Sequence, residues 1–292
     1  MAIRVNVNGV IRGPDEPHVS ALDRGFLYGD SVYEVIRTYG GVPFALGPHL
    51  DRLWRSADLL GITLPIGRSQ LVRRIRETVE AAGNAETYVR VVATRGSGEI
   101  GLDPALAADP IVAILAAPLR RYPAEWERTG VGVLLVPVGK GVGGSVPGGA
   151  KSGNYLANLM ALGRAKRAGA EEAILVDTSG HVLEGASSNI FAVTGGRLVT
   201  PSLECGILEG ITRRVVIEIA RGVPMPVDDR RVRPEELHDA DEAFITSTLR
   251  EVVPVVRVDD AVVGSGRPGP VTLDLLLRFR ERVATGLGWE DG

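Results

Sequence analysis

Around Pro118–Thr129 the hydrophobic periodicity that runs along the chain on either side stops, and Arg, Pro, Tyr and Glu follow without pattern. A stretch with neither a 3.6- nor a 2-residue period offers no face to bury. The 292 residues are therefore read as two domains. The expected division is a small domain over 1–120, a connection over 121–130 and a larger domain over 131–292.

In the first part Leu46, Leu50, Leu53, Ala57 and Leu60 recur at helical spacing and stop at Gly61. A second amphipathic segment covers Ser69–Ala82 and ends at Gly83-Asn84, and strand-like runs follow at Thr87–Thr94 and Ile111–Ala116. Antiparallel strands with helices grouped beside them make an α+β unit. In the second part Val131–Val138, Ala173–Asp177, Phe244–Ser247 and Val252–Val258 read as strands. Helices are expected from about Asn154 to Ala168, from near Ile211, and over Val271–Thr285. A glycine-rich stretch from Gly139 to Gly149 precedes Lys151.

Composition narrows the function classes. A formal net charge of −3 gives no field that gathers nucleic acid or anionic lipid, so neither is expected as a partner. The longest apolar runs, such as Val131–Val138, fall well short of the roughly 20 residues that span a bilayer. The opening Met1–Gly9 alternates like a strand entering a turn, unlike a charged-then-apolar leader. Cys205 is the single cysteine, which suits a reducing cytoplasm. His18, His49, His181 and His238 are scattered without ligand spacing, so no metal is expected.

Three of the 33 basic residues are lysines, so chemistry that needs a primary amine has few candidates. Lys140 lies in the glycine stretch and Lys166 lies beside Arg167 on a polar helix face; both read as solvated. Lys151, in Ala150-Lys151-Ser152-Gly153-Asn154-Tyr155, stands before a helix that Asn154 is expected to cap. A partly desolvated lysine there can act as a nucleophilic amine. Glu184 ends a strand and is followed by Gly185-Ala186-Ser187-Ser188, small residues that let a flat ring approach. A carboxylate beside a pyridine nitrogen keeps it protonated, so the ring can accept carbanion electrons. Gly210-Ile211-Thr212 opens a helix whose free N–H groups suit a phosphate. Thr246-Ser247-Thr248-Leu249 forms a second hydroxyl-bearing turn, and Arg52 offers a bidentate clamp.

These segments resemble, in order, those of the class IV aminotransferases: Asp23–Glu34, His49-Leu50-Asp51-Arg52-Leu53, Lys151–Tyr155, Glu184–Asn189 and Gly210–Arg213. Five such motifs in one order make a specific match covering about Ile3 to Val271. The resemblance implies the two-domain fold-type IV architecture, with a small α+β domain and a larger pseudo-barrel α/β domain. It implies a homodimer and pyridoxal 5'-phosphate as cofactor. Lys151 would hold the cofactor as a Schiff base and shuttle the substrate's α-proton. Glu184 would pair with the pyridine nitrogen and Tyr155 with the phenolate oxygen. Arg52, Gly210, Ile211, Thr212, Ser247 and Thr248 would hold the phosphate.

For the substrate, Thr87-Tyr88-Val89-Arg90 resembles the Tyr-x-Arg of branched-chain aminotransferases, and Thr248-Leu249 would offer N–H groups to an α-carboxylate. Tyr28 and Tyr33 are expected to face the pocket. Gly29-Asp30-Ser31-Val32-Tyr33-Glu34 looks more like the D-amino-acid enzymes, yet the loop after Thr94-Arg95-Gly96 lacks the Arg and His of their carboxylate trap. The expectation is a ping-pong transaminase moving nitrogen from a branched-chain L-amino acid to a 2-oxo acid such as 2-oxoglutarate. D-amino-acid or (R)-amine transamination is the alternative, with aminodeoxychorismate lyase after it. Arg250 departs from the small residue usual there; a distal carboxylate and solvent are both open as its partner.

Overall fold

A computed structural model describes residues 2–16, 19–139, 145–146 and 149–289. His18, Lys140 and most of the glycine-rich stretch lie outside these described residues. The chain forms two compact units. One comprises the chain up to Arg121, the segment Ala150–Asn154 and the segment from Gly286; the other comprises Tyr122–Gly149 and Tyr155–Thr285.

The first unit is built on a six-stranded antiparallel sheet in the order Val10–Arg12, Arg4–Val7, Val112–Pro118, Thr87–Thr94, Ser31–Tyr39, Val42–Pro43. Its helices are α1 (Arg24–Tyr28), α2 (Leu46–Leu59) and α3 (Arg68–Ala82). Strand alternation sends Val32, Ile36, Val89, Val91 and Ala93 into one core with Leu50, Leu53 and Ala57 of α2 and Leu71, Ile75 and Val79 of α3. Full burial of each large side chain stabilises by about 1.5–3 kcal/mol. Gly83, in the left-handed conformation at φ 62°, caps α3 by donating to the Val79 and Glu80 carbonyls. The C-terminal segment closes on this unit: Gly288 N–H donates to Pro43 O at 3.1 Å, and Trp289 packs on the core.

The second unit holds a nine-stranded mixed sheet. Its order is Val182–Gly185, Glu172–Val176, Val131–Pro137, Glu251–Val258, Glu242–Ser247, Asn189–Thr194, Arg197–Pro201, Val227–Arg230, with Ala261–Val262 beside Glu251–Val258. Val131–Pro137 runs parallel to both its neighbours, and Arg197–Pro201 runs parallel to Val227–Arg230. The helices are α4 (Trp126–Thr129), α5 (Leu156–Arg167), α6 (Ile211–Arg221), α7 (Pro234–His238) and α8 (Pro270–Thr285). Phe191 and Phe244, opposite each other on neighbouring strands, stack with ring centroids 4.8 Å apart. One terminus differs from expectation. Tyr155, not Asn154, is the N-cap of α5, and it makes no side-chain cap bond. Asn154 is instead part of the segment that joins the first unit, so its backbone belongs to another element.

Candidate functional site

In the first unit the site grows from one face of α2. His49, Arg52 and Ser56 are spaced three and four residues apart, so they point the same way. All three are buried. Opposite them stands Glu34, which shares the inward face of its strand with Val32 and Ile36. Arg52 donates to its carboxylate from Nε at 2.6 Å and from Nη2 at 2.8 Å, and His49 Nδ1 lies 2.8 Å away. Burial alone would raise the Glu34 carboxyl, but the Arg52 charge and hydrogen bonds, with His49, hold it down to about 2. Burial pushes the His49 imidazole below its ordinary value, against the pull of Glu34. Arg52 is thus a fixed, charged side chain at 3 % exposure, not an exposed helix residue.

The third member of that face reaches the backbone of Lys151. Lys151 N–H donates to Ser56 Oγ at 3.0 Å, and Gly153 N–H donates to Ser31 O at 2.8 Å. A Cβ on Gly153 would fall 2.1 Å from Ser31 Oγ, so only glycine lets the segment lie this close. The Lys151 ammonium sits 4.6 Å from the centroid of the Tyr33 ring, and the Arg90 guanidinium lies 3.9 Å from the same centroid. Strand register puts Tyr33, Arg90 and Tyr88 on the sheet face away from the helices. Tyr28, at the end of α1, packs beneath Arg24 with no such link to the amine. The Ser152 hydroxyl, next to Lys151, is buried without a hydrogen-bond partner.

In the second unit Asn189 organises the remaining residues. Its Nδ2 donates to Leu208 O at 3.0 Å and to Glu184 Oε2 at 3.4 Å, and the same Glu184 oxygen accepts from Leu208 N–H at 3.1 Å. The carboxylate is therefore tied to the loop that runs into α6. Gly210 is the N-cap of α6 and supplies no side-chain cap, so the first N–H groups of Ile211 and Thr212 are left for another acceptor. Beside Asn189 in strand register, the Thr246 hydroxyl is buried with no partner. An uncapped helix start and an orphaned hydroxyl in one unit fit a phosphate-bearing group. Tyr155 Oη donates to Ala186 O at 2.8 Å, and Asn158 Nδ2 donates to the same carbonyl at 2.9 Å. To donate elsewhere, the Tyr155 hydroxyl has to leave Ala186.

Thr248, Leu249 and Arg250 form the turn between two strands, closed by the Ser247–Glu251 pair. Both partners left open for Arg250 give way to an internal one: Nη2 donates to Glu172 Oε2 at 2.6 Å, and its side chain is 7 % exposed. A buried carboxylate at Glu172, itself 0 % exposed, outcompetes solvent for the charge. Sequence reasoning passed over Glu34, His49, Ser56, Glu172 and Asn189 as functional positions. The readable signal for Glu34 was a carboxylate at an inward position of an alternating strand. Glu172 and Asn189 lie in segments too short and apolar to show such a contrast.

Among the described residues no group of three or more His, Cys, Asp or Glu could hold a metal ion, and no helix is long and apolar enough to cross a membrane. Residues 31–258 match the family model described as amino-transferase class IV. The chain is 37 % identical over 279 residues to a Methanocaldococcus jannaschii protein provisionally named a branched-chain-amino-acid aminotransferase, covering 96 % of each chain. It is 34 % identical to the D-alanine aminotransferase of Bacillus licheniformis, covering 96 % of this chain and 97 % of that one. The structure of the T.th. branched-chain amino acid aminotransferase with pyridoxamine 5'-phosphate superposes with a TM-score of 0.90 at 32 % identity, covering 99 % of this chain and 98 % of that one.

Proposed function

This chain belongs to the class IV aminotransferases and shares their α+β fold, and from that membership we propose a pyridoxal-phosphate transaminase that moves nitrogen from a branched-chain L-amino acid to a 2-oxo acid such as 2-oxoglutarate. The observation that carries the reading is the placement of Lys151. Its backbone is pinned to Ser56 of α2, one turn from the buried Arg52, and its ammonium rests on Tyr33. Lys151 would hold the cofactor through its amine and would carry the proton at the substrate's α-carbon. Glu184, fixed by Leu208 and Asn189, keeps the pyridine nitrogen protonated. Arg52, Gly210, Ile211, Thr212, Ser247 and Thr248 hold the phosphate, and Tyr155 serves the phenolate oxygen. When bound, the cofactor supplies a sink for the electrons of the breaking C–H bond.

Tyr28, Tyr33, Tyr88 and Arg90 face the substrate, and the Thr248-Leu249 turn receives its α-carboxylate. The names of the M. jannaschii and T.th. relatives support a branched-chain donor. Similarity to the B. licheniformis enzyme favours D-alanine as the second reading. We place the enzyme in the cytoplasm, consistent with one cysteine. We also read it as a homodimer, because Leu156, Leu159 and Met160 on α5 are 65, 58 and 64 % exposed, more apolar surface than one helix ordinarily leaves to water.

The test is reconstitution with pyridoxal phosphate, borohydride reduction and peptide mapping. The expected result is a label at Lys151, and an absorbance change when L-leucine is added to the unreduced enzyme. A label on another residue removes Lys151 from its role. Silence with L-leucine and a rapid response to D-alanine reverses the order of substrates. Lys151→Ala is expected to lose turnover by roughly three orders of magnitude or more.

A further inference from the structure

The Ser247–Glu251 turn contains a backbone conformation that its sequence does not favour. Glu251 has φ 62°, in the left-handed region where a hairpin of this length ordinarily places glycine. Such a residue persists only where its surroundings hold it. Here it is held from two sides. On one side Arg280 Nε donates to Glu251 Oε2 at 2.8 Å, with Glu251 5 % exposed. On the other, Arg250 Nε and its backbone N–H both donate to Ser247 Oγ, at 3.2 and 3.3 Å, which closes the turn on itself.

The Arg250 guanidinium then reaches beyond the turn. Its Nη2 donates to Glu172 Oε2 at 2.6 Å, to Ser187 Oγ at 2.9 Å and to Ser187 O at 3.2 Å. Glu172 Oε2 also accepts from the Ser187 hydroxyl at 2.7 Å and the Ser188 hydroxyl at 3.1 Å. One buried carboxylate thus fastens the turn to the segment that follows Glu184. A two-pronged pair with an incoming distal carboxylate needs Nη2, so it would have to displace Glu172 and leave it buried without its counter-charge, which is strongly unfavourable.

Building on the transaminase reading above, we propose that Arg250 and Glu172 are positioning residues that hold the Ser247–Glu251 turn rigid as the receptor for the substrate's α-carboxylate, and that Arg250 binds no second carboxylate. The pair acts on substrates in proportion to their α-carboxylate, which mono- and dicarboxylic amino acids share. Glutamate and leucine are therefore affected alike when it is broken.

The experiment uses the holoenzyme and its Arg250→Ala, Arg250→Lys and Glu172→Gln forms. The readouts are the dissociation constant of 4-methylvalerate, the KM and kcat for L-leucine and L-glutamate, and the cofactor affinity by absorbance titration. Arg250→Ala and Glu172→Gln are expected to raise the 4-methylvalerate constant and both KM values by about tenfold, the size of one well-placed charged hydrogen bond. Because Arg250 bonds Ser247, which with Thr248 is a proposed phosphate ligand, cofactor affinity is expected to fall as well, and the other constants are read at saturating cofactor. Arg250→Lys restores part of the loss. A rise in KM for L-glutamate alone would make Arg250 a distal-carboxylate receptor and overturn the proposal, as would unchanged constants in every variant. If Arg250→Ala does not fold, Glu172→Gln, which keeps the shape of the side chain, carries the test. Hydrogen exchange at the Thr248–Arg250 amides then provides a ligand-free readout: faster exchange is expected, and unchanged exchange overturns the proposal. The wild-type response to L-leucine tests the function itself, while the variant-to-wild-type ratios test the turn.

Discussion

At position 34 a carboxylate is enclosed by protein and answered by two cationic or potentially cationic side chains. Replacing it with the neutral isostere in Glu34→Gln leaves the Arg52 charge buried without a partner, a change that costs about 3–5 kcal/mol in comparable pairs. Denaturant melts of the variant are expected to show that loss, and cofactor titration to show weaker retention through a misplaced Arg52. The pH response follows from the signs of the shifts. His49 has a folded pKa below its unfolded value, so as pH falls the unfolded chain takes the proton first. Its contribution is complete above about pH 6.5 and is lost as pH falls below that value. The Glu34 contribution is complete above its unfolded value, about pH 4.3, and disappears as pH falls toward about 2. Between pH 7.5 and 5.5 the wild-type melting temperature is therefore expected to drop. His49→Gln is expected to flatten that drop, by at most about 1.4 kcal/mol of stability per pH unit. An identical slope in both proteins would show that folding does not lower the His49 pKa. The single residues that the sequence made readable were those with rare chemistry, such as one of three lysines. Glu34 and Glu172 are carboxylates among many, and only the fold distinguishes them.

Elements with a strong period were legible. The apolar positions Leu46, Leu50, Leu53 and Ala57 are the buried stripe of α2, and α3 runs Arg68–Ala82 against an expected Ser69–Ala82. Elements without a period were not. Helices α1, α4 and α7 have five residues or fewer, less than two turns of repeat. Asn189–Thr194 is buried on both faces along five of its six residues, so it shows no alternation to count. Gly210 illustrates a constraint that lies between elements. Its φ of −65° is open to any residue, so its backbone does not require glycine. Space does: a Cβ there would fall 2.0 Å from Asn189 Oδ1. Gly210→Ala is expected to push Asn189 off both Glu184 and Leu208 and to weaken cofactor binding by about tenfold, or about 1.4 kcal/mol. Absorbance titration measures it. Wild-type affinity would mean that Asn189 has room to move at no cost.

For the whole molecule, the α5 surface makes its own prediction. Leu159→Glu places a charge among exposed leucines and a methionine, and the expected outcome is a shift from the proposed dimer to monomer by light scattering with the melting profile of each subunit preserved. An unchanged mass would remove α5 from the subunit contact. What periodicity could not reveal is that five residues around Lys151, and the segment from Gly286, return to the first unit. Segments that short carry no repeat, and their membership is set by single bonds such as Lys151 N–H to Ser56 Oγ and Gly288 N–H to Pro43 O.

That itinerary bears on how the protein is made. A nascent chain leaves the ribosome in order, so the sheet that receives Ala150–Asn154 has to wait for them, and its last seam near Pro43 waits until the segment from Gly286 has emerged. The N-terminal portion is thus synthesised first and completed last. A stalled or truncated product ending near Arg121 would own Arg52, the proposed phosphate ligand, but neither Lys151 nor the closing segment, and would present an open seam to chaperones.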